Sequence, residues 1–125
     1  MHYSDIPYGV YLPTVTFTDS NGDGRFTYDM RREQLSEQGF TGFYEADFAD
    51  DIEYIETAAF FNDTKVCVAT INKVKYIKAG AFKNCYNLRA VTLDTASNSE
   101  GSPNLIDIGV SAFENCISLK QIYIP

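Results

Sequence analysis

Three oxygen-bearing side chains stand two residues apart in "DSNGDGRFTYDM", residues 19–30. Asp19, Asn21 and Asp23, followed by Gly24, match the opening of a calcium loop, in which alternate residues turn their oxygens to one side and a glycine takes the sharp bend. The last position of such a loop brings a bidentate carboxylate. Here it is Met30, and Asp29 sits one place early. A hard cation takes about six to eight oxygens, so a site built from Asp19, Asn21, Asp23 and Asp29 is short of one strong ligand. Asn-Gly and Asp-Gly are also ordinary turn dipeptides. The loop reads as a plain turn with no metal or cofactor; a calcium-stabilised cap or docking module on Asp19–Asp29 is the alternative.

Other chemistry is sparse. The single histidine is His2, beside the N-terminus, where no Ser-His-Asp or Cys-His arrangement can be built around it. No phosphate loop or dinucleotide fingerprint is present. The run "EADFADDIEYIE" groups Glu45, Asp47, Asp50, Asp51, Glu53 and Glu56. A glycoside hydrolase needs two carboxyl groups at a set separation across a cleft, whereas a charge run reads as a solvated face. The chain is therefore not expected to be an enzyme, and no catalytic residue is named.

The elements that would carry these residues fall into two differently charged parts. Residues 1–63 hold 13 acids against three arginines, and residues 64–125 hold four acids against seven Lys and Arg, so the net −7 divides into −10 and +3. Nucleic-acid binding needs clustered Lys and Arg, and an acidic chain does not supply them. No apolar run approaches the roughly 20 residues of a membrane helix, and "MHYSDIPYGV" lacks the basic and apolar regions of a signal peptide. Cys67, Cys85 and Cys116 are odd in number and show no zinc spacing.

The second part repeats itself. "IEYIETAAFFNDTKVCVATI" (52–71), "VKYIKAGAFKNCYNLRAVTL" (74–93) and "LIDIGVSAFENCISLKQIYI" (105–124) align without gaps, with starts 22 and then 31 residues apart. The extra nine lie in the polar "DTASNSEGSPN", which reads as a loop. Ala-Phe recurs at Ala59-Phe60, Ala81-Phe82 and Ala112-Phe113, and a small position follows at Asp63, Cys85 and Cys116. A unit of this length cannot bury its own apolar face but can bury it against copies of itself, which is the signature of a solenoid. Each closing run is expected to be a short strand with its first, fourth and sixth residues inward, such as Leu88, Val91 and Leu93, in a parallel sheet. The opening run is expected to be a second extended segment, and Ala-Phe-x-Asn-Cys one helical turn between them.

"IKAGAFKNCYNLRAVTL" and "IGVSAFENCISLKQIYIP" resemble the BspA-type leucine-rich repeat of bacterial surface proteins, whose unit runs roughly Ile-Gly-x-x-Ala-Phe-x-x-Cys-x-x-Leu-x-x-Ile-x-Ile-Pro. The second and third units match it closely and the first loosely, over residues 52–125. Asp63 stands where the others have Cys, so the first unit reads as the edge unit beside whatever covers the stack. The expected fold is α+β: a repeat solenoid, a short right-handed leucine-rich-repeat stack of about three repeats on a non-repeat N-terminal cap of strands and one short helix.

In that cap, residues 1–51, Val15 and Phe17 alternate with threonines as a strand does. "DMRREQLSEQG" is expected to be a helix of roughly ten residues capped by Asp29 and ended by Gly39. "FTGFYEADFADD" brings aromatics to pack over the first repeat. Cys85 and Cys116 occupy equivalent positions and are expected to stack as reduced core thiols. Cys67 aligns with the outward Arg89 and Lys120 and is expected to be the reactive cysteine. Asn62-Asp63-Thr64 is a glycosylation sequon.

The resemblance implies a non-enzymatic protein-interaction or adhesion module of a secreted or cell-surface bacterial protein. A protein or host-surface ligand is expected on the sheet face at Arg89, Thr92, Lys120, Gln121 and Tyr123. Because the sequence stops at "QIYIP", it is expected to be a piece of a longer repeat protein, with self-association through the open C-terminal repeat edge.

Overall fold

A computed structural model describes residues 12–71, 73–93 and 105–123, with the side chains of Gln121 and Tyr123 outside the description. Alternation of apolar and polar residues sets the first strand, β1 (Thr14–Phe17), with Val15 and Phe17 buried and both threonines exposed. Beyond it come the two-residue β2 (Arg25–Phe26), the helix α1 (Tyr28–Glu37) and β3 (Tyr44–Phe48). The closing runs of the three aligned segments become β5 (Val66–Ile71), β7 (Ala90–Leu93) and β9 (Gln121–Tyr123). Their opening runs become β4 (Tyr54–Ile55), β6 (Tyr76–Ile77) and β8 (Asp107–Ile108).

The chain alternates between two parallel sheets, one ordered β1-β3-β5-β7-β9 and the other β2-β4-β6-β8. Each strand pairs with the strand laid down one circuit earlier, so equivalent residues fall in line. Ala69, Val91 and Ile122 share one row, and Ile55, Ile77 and Ile108 another. Residues 25–48 follow the same course as the aligned segments, strand to strand across the two sheets, with α1 in place of the connecting turn.

Between the sheets lies a column of rings. Phe60 and Phe82 stack at 4.8 Å and 10°, and Phe82 and Phe113 at 5.3 Å and 9°. Phe26 stacks on Phe60 from the other side at 5.7 Å, and Phe17 and Phe48 pack edge-on to it. The aromatics of residues 40–51 therefore enter the core through a strand of the sheet.

Two local expectations are corrected. Thr27, not Asp29, caps α1: its hydroxyl accepts from the Met30 N–H at 3.2 Å, and its own N–H donates to the Met30 sulfur. Asp29 sits in the first turn, where a carboxylate suits the helix dipole. The connecting segments around Ala59-Phe60, Ala81-Phe82 and Ala112-Phe113 are hydrogen-bonded turns, not helix. The reason is that alternate N–H groups leave their own segment. Phe60 and Asn62 donate to the carbonyls of Ala81 and Lys83 at 2.7 and 3.0 Å, and Phe82 and Asn84 to Ala112 and Glu114 at 2.8 and 2.9 Å. A helix would consume those groups internally. The alternation requires left-handed residues at Ala58, Gly80 and Ser111 and again at Asn62, Asn84 and Asn115, with φ from 58° to 63°. Asparagine tolerates that region better than other residues with a Cβ, which is one reason it recurs there.

Candidate functional site: the outward sheet face

The outward face of the five-stranded sheet is built from the residues between the buried ones. One row reads Thr14, Glu45, Val68, Ala90 and the next Thr16, Asp47, Thr70, Thr92, and the backbones of Gln121 and Tyr123 continue the two rows in register. The floor across β5 and β7 is made of small side chains that lie half-buried. Beside it, Lys120 donates its N–H to the Arg89 carbonyl and Arg89 donates to that of Cys67, so the backbones of Arg89 and Lys120 adjoin. Lys120 is exposed, and Arg89 and Thr92 are half-buried. Of the five expected ligand-binding residues, the structure aligns Thr92 with Tyr123 in register and sets Arg89 beside Lys120. The side chains of Gln121 and Tyr123 lie outside the described residues.

Glu45 and Asp47 belong to this same face, which sequence reasoning missed by assigning them to a solvated charge run. The alternation in "YEADF" was the available signal: Tyr44, Ala46 and Phe48 are buried, leaving Glu45 and Asp47 outward. Thr70 reaches the Glu45 carboxylate at 3.5 Å. Glu45 and Asp47 on β3 thus share rows with the floor of Val68, Thr70, Ala90 and Thr92, and the backbones of Arg89 and Lys120 adjoin just before β7 and β9.

The remaining carboxylates of that run disperse. Asp50 pairs with Lys73 at 3.4 Å, Glu53 with Lys75 at 3.5 Å, and Glu56 with Arg25. Arg25 also lies 4.4 Å over the Tyr54 ring, which stacks on Tyr76 at 4.9 Å and 9°. That column covers the outer side of the second sheet.

In the Asp19 loop, both carboxylate oxygens of Asp19 accept backbone amides, those of Gly22 at 3.0 Å and Gly24 at 2.6 Å. Asp23 accepts from Arg25 N–H at 3.0 Å. Asp19 and Asp23 line a hollow of about 350 Å³ with Asp51 and Glu53, whereas Asp29 lines a different one on α1 with Arg32. Among the described residues, no group of three or more His, Cys, Asp or Glu is placed to hold a metal ion. His2 lies outside the described residues.

Cys67 is corrected most sharply. It occupies the register shift between β3 and β5, where Tyr44 pairs with Val66 and Glu45 with Val68. The extra residue is fully buried, and burial pushes its thiol up to about 11. A thiol so held is a poor nucleophile at neutral pH. The Cys85 thiol donates to the Phe60 carbonyl at 3.0 Å and the Cys116 thiol to that of Phe82 at 3.1 Å. Contact with Cys116 and burial both hold Cys85 protonated. All three cysteines are free.

Asp63, aligned with those cysteines, has other partners. Arg31 of α1 donates to it at 3.0 Å and also to the Ala59 carbonyl at 2.9 Å. The Tyr44 hydroxyl donates to the same carboxylate, and the Lys65 and Val66 amides donate to its second oxygen. Arg31 was not foreseen as a partner, although the Asp-for-Cys exchange signalled that something different adjoins the first unit.

Strands laid down in register, a column of stacked phenylalanines and thiol-to-carbonyl bonds between successive units define a leucine-rich repeat protein. The sequence pattern of the BspA-type leucine-rich repeat region matches residues 27–125 in six copies. The chain belongs to that family. The match opens at Thr27, the cap of α1. Neither a curated protein nor a solved structure gives a significant match.

Proposed function

We propose that the chain is a non-enzymatic protein-binding module, a solenoid of stacked repeat units. Its partner lies on the outward face of the β1-β3-β5-β7-β9 sheet. The N-terminal strands and α1 form its closing layer. What supports this reading is the outward row across β3, β5 and β7, with Glu45 and Asp47 on one side and small residues at Thr70, Ala90 and Thr92 beside them, and the adjoining backbones of Arg89 and Lys120 next to it. Small floor residues let a partner backbone approach closely. The opposed charges fix its direction, since charge complementarity sets register and suppresses wrong partners. Gln121 and Tyr123 extend the contact at the C-terminal side. A secreted or cell-surface bacterial protein and a role in adhesion to a host-surface ligand are the setting that the family supports.

A displayed library of random extended peptides, panned against the chain, tests the reading. Enriched peptides should carry basic residues toward one end and acidic residues toward the other, and should be lost with R89E/K120E at unchanged melting temperature. Enriched binders indifferent to R89E/K120E and to D47K would place recognition elsewhere.

A further inference from the structure

Asn62, Asn84 and Asn115 stand at equivalent places in three successive turns, and their side chains form a ladder with a direction. Asn84 donates its side-chain nitrogen to the Asn62 oxygen at 3.0 Å, and Asn115 donates to the Asn84 oxygen at 3.0 Å. The nitrogens of Asn84 and Asn115 are therefore both used on the preceding unit. Asn62 begins the ladder, because α1 replaces the turn of the unit before it. It gives its oxygen to Asn84, and among the described residues nothing accepts from its own side-chain nitrogen. The backbone there is fixed by the N–H donated to the Lys83 carbonyl at 3.0 Å and by a φ of 62°, and the residue is exposed.

The same residue opens the one Asn-x-Ser/Thr sequence of the chain, Asn62-Asp63-Thr64, and Thr64 is exposed as well. Asn84 and Asn115 are followed two places on by Tyr86 and Ile117 and are not sequons. The motif thus falls on the asparagine whose nitrogen the ladder leaves open. A sugar on the Asn62 nitrogen keeps the amide carbonyl, so the bond from Asn84 survives. A sugar on the Asn84 nitrogen would stand against the Asn62 oxygen, 3.0 Å away. The turn lies between β4 and β5 and belongs to neither sheet, so this modification does not depend on what the outward sheet face binds.

We propose that Asn62 is the attachment site of an asparagine-linked glycan, a modification of exported chains at surface positions. The donor class is an oligosaccharide joined to a membrane lipid through a diphosphate. The Asn62 amide nitrogen bonds to the anomeric carbon, and the bond from that carbon to the phosphate oxygen breaks. The lipid diphosphate leaves, and the amide proton passes to a base of the transferase. Asp63, the middle residue of the sequon, is buried and held by Arg31, Tyr44 and the Lys65 and Val66 amides. A transferase that reads all three residues must meet them before this turn closes. The sugar is therefore added to the unfolded segment, and the open nitrogen at the start of the ladder is what lets the chain fold with it in place.

The test secretes the full chain from a host with asparagine glycosylation and makes it in parallel in a host without. Intact mass and glycopeptide mapping should find a glycan on Asn62 that is absent from N62Q and from T64A. The glycosylated chain should melt no lower than the unmodified one. The double variant T64A/Y86T moves the sequon to Asn84. Its glycosylated form should melt about 3–5 °C below its own unmodified form, the shift that loss of roughly one hydrogen bond brings to a domain of this size. Failure of that variant to be secreted, while its unmodified form folds, would support the same reading. An unoccupied Asn62 in the folded, secreted chain would overturn the inference. So would a glycan on Asn62 that lowers the melting temperature as much as one on Asn84.

Discussion

Arg31 and Asp63 meet at 3.0 Å where α1 packs against the first turn, at the position that the next two units fill with a thiol. Both side chains are nearly buried, so the pair is held by its accompanying hydrogen bonds as much as by charge. Breaking such a pair from one side leaves an uncompensated buried charge, at about 3–5 kcal/mol. D63C is expected to lose that much in urea denaturation. The double variant R31L/D63C is expected to recover at least half of it, since it replaces the ion pair with the arrangement of Cys85. A double variant as unstable as the single one would show that the carboxylate's bonds to Tyr44 and the backbone outweigh the pair.

Phe82 and Phe113 are equivalent in sequence but not in environment. Phe82 is sandwiched between two rings and fully buried, while Phe113 has a ring on one side and is half-buried. Phe82→Ala is expected to cost about 3–5 kcal/mol, and Phe113→Ala less than half of that. Equal losses in chemical denaturation would mean that the last unit is covered as well as the middle one.

Gly109 is held by steric approach and not by its φ. A Cβ there would lie 2.5 Å from the Ala79 nitrogen and 2.8 Å from the Lys78 carbonyl carbon. Both are backbone atoms that cannot swing away. Gly109→Ala is expected to destabilise by about 1–3 kcal/mol, the scale of overpacking. Gly42→Ala, with nothing within 4 Å, serves as the control that should leave the melting temperature unmoved.

Alkaline pH should unfold the chain earlier than neutral pH. Burial raises the Cys67 thiol from 9.0 to about 11, and burial with Asp63 raises the Tyr44 phenol well above its usual 10.0. Both groups favour their protonated forms in the folded state. The Cys67 contribution is therefore full below pH 9.0, the ordinary thiol value, and lost as pH rises toward about 11, while that of Tyr44 is full below 10.0 and lost only well above it. Cys67→Ala should flatten the first part of that decline in a denaturation series. An unaltered slope would mean that the thiol is not held away from water.

Calcium at millimolar concentration should leave the melting temperature unchanged. Asp19 spends both oxygens on its own loop, and Asp29 faces a different hollow. A stabilisation of more than about 2 kcal/mol, the scale of near-hundredfold saturation, would show that the loop rearranges to bind it.

The repeat was legible because it is written in residue types whose burial follows from period. Leu88, Val91 and Leu93 are inward as the spacing requires, and all are buried. Asp63 was readable as an exception but not its partner, because Arg31 lies 32 positions earlier in a helix of unrelated pattern. The place of Glu45 and Asp47 on the sheet face was not read, for a related reason. A carboxylate beside other carboxylates looks solvated until the strand's pairing puts it in line with Val68 and Thr70.

The sequence by itself determined the repeat unit, its two extended runs and inward residues such as Leu88, Val91 and Leu93, since these follow from the spacing of apolar side chains, and its motifs carried the resemblance to the family. The tertiary structure alone decided that the Ala-Phe segments are turns, because their hydrogen bonds run to the neighbouring unit and not along the chain. It alone buried Cys67, which lies at the one-residue register shift between β3 and β5. It alone set the acidic β3 beside β5, because which strands become neighbours is fixed by packing between units and is not written in any one of them.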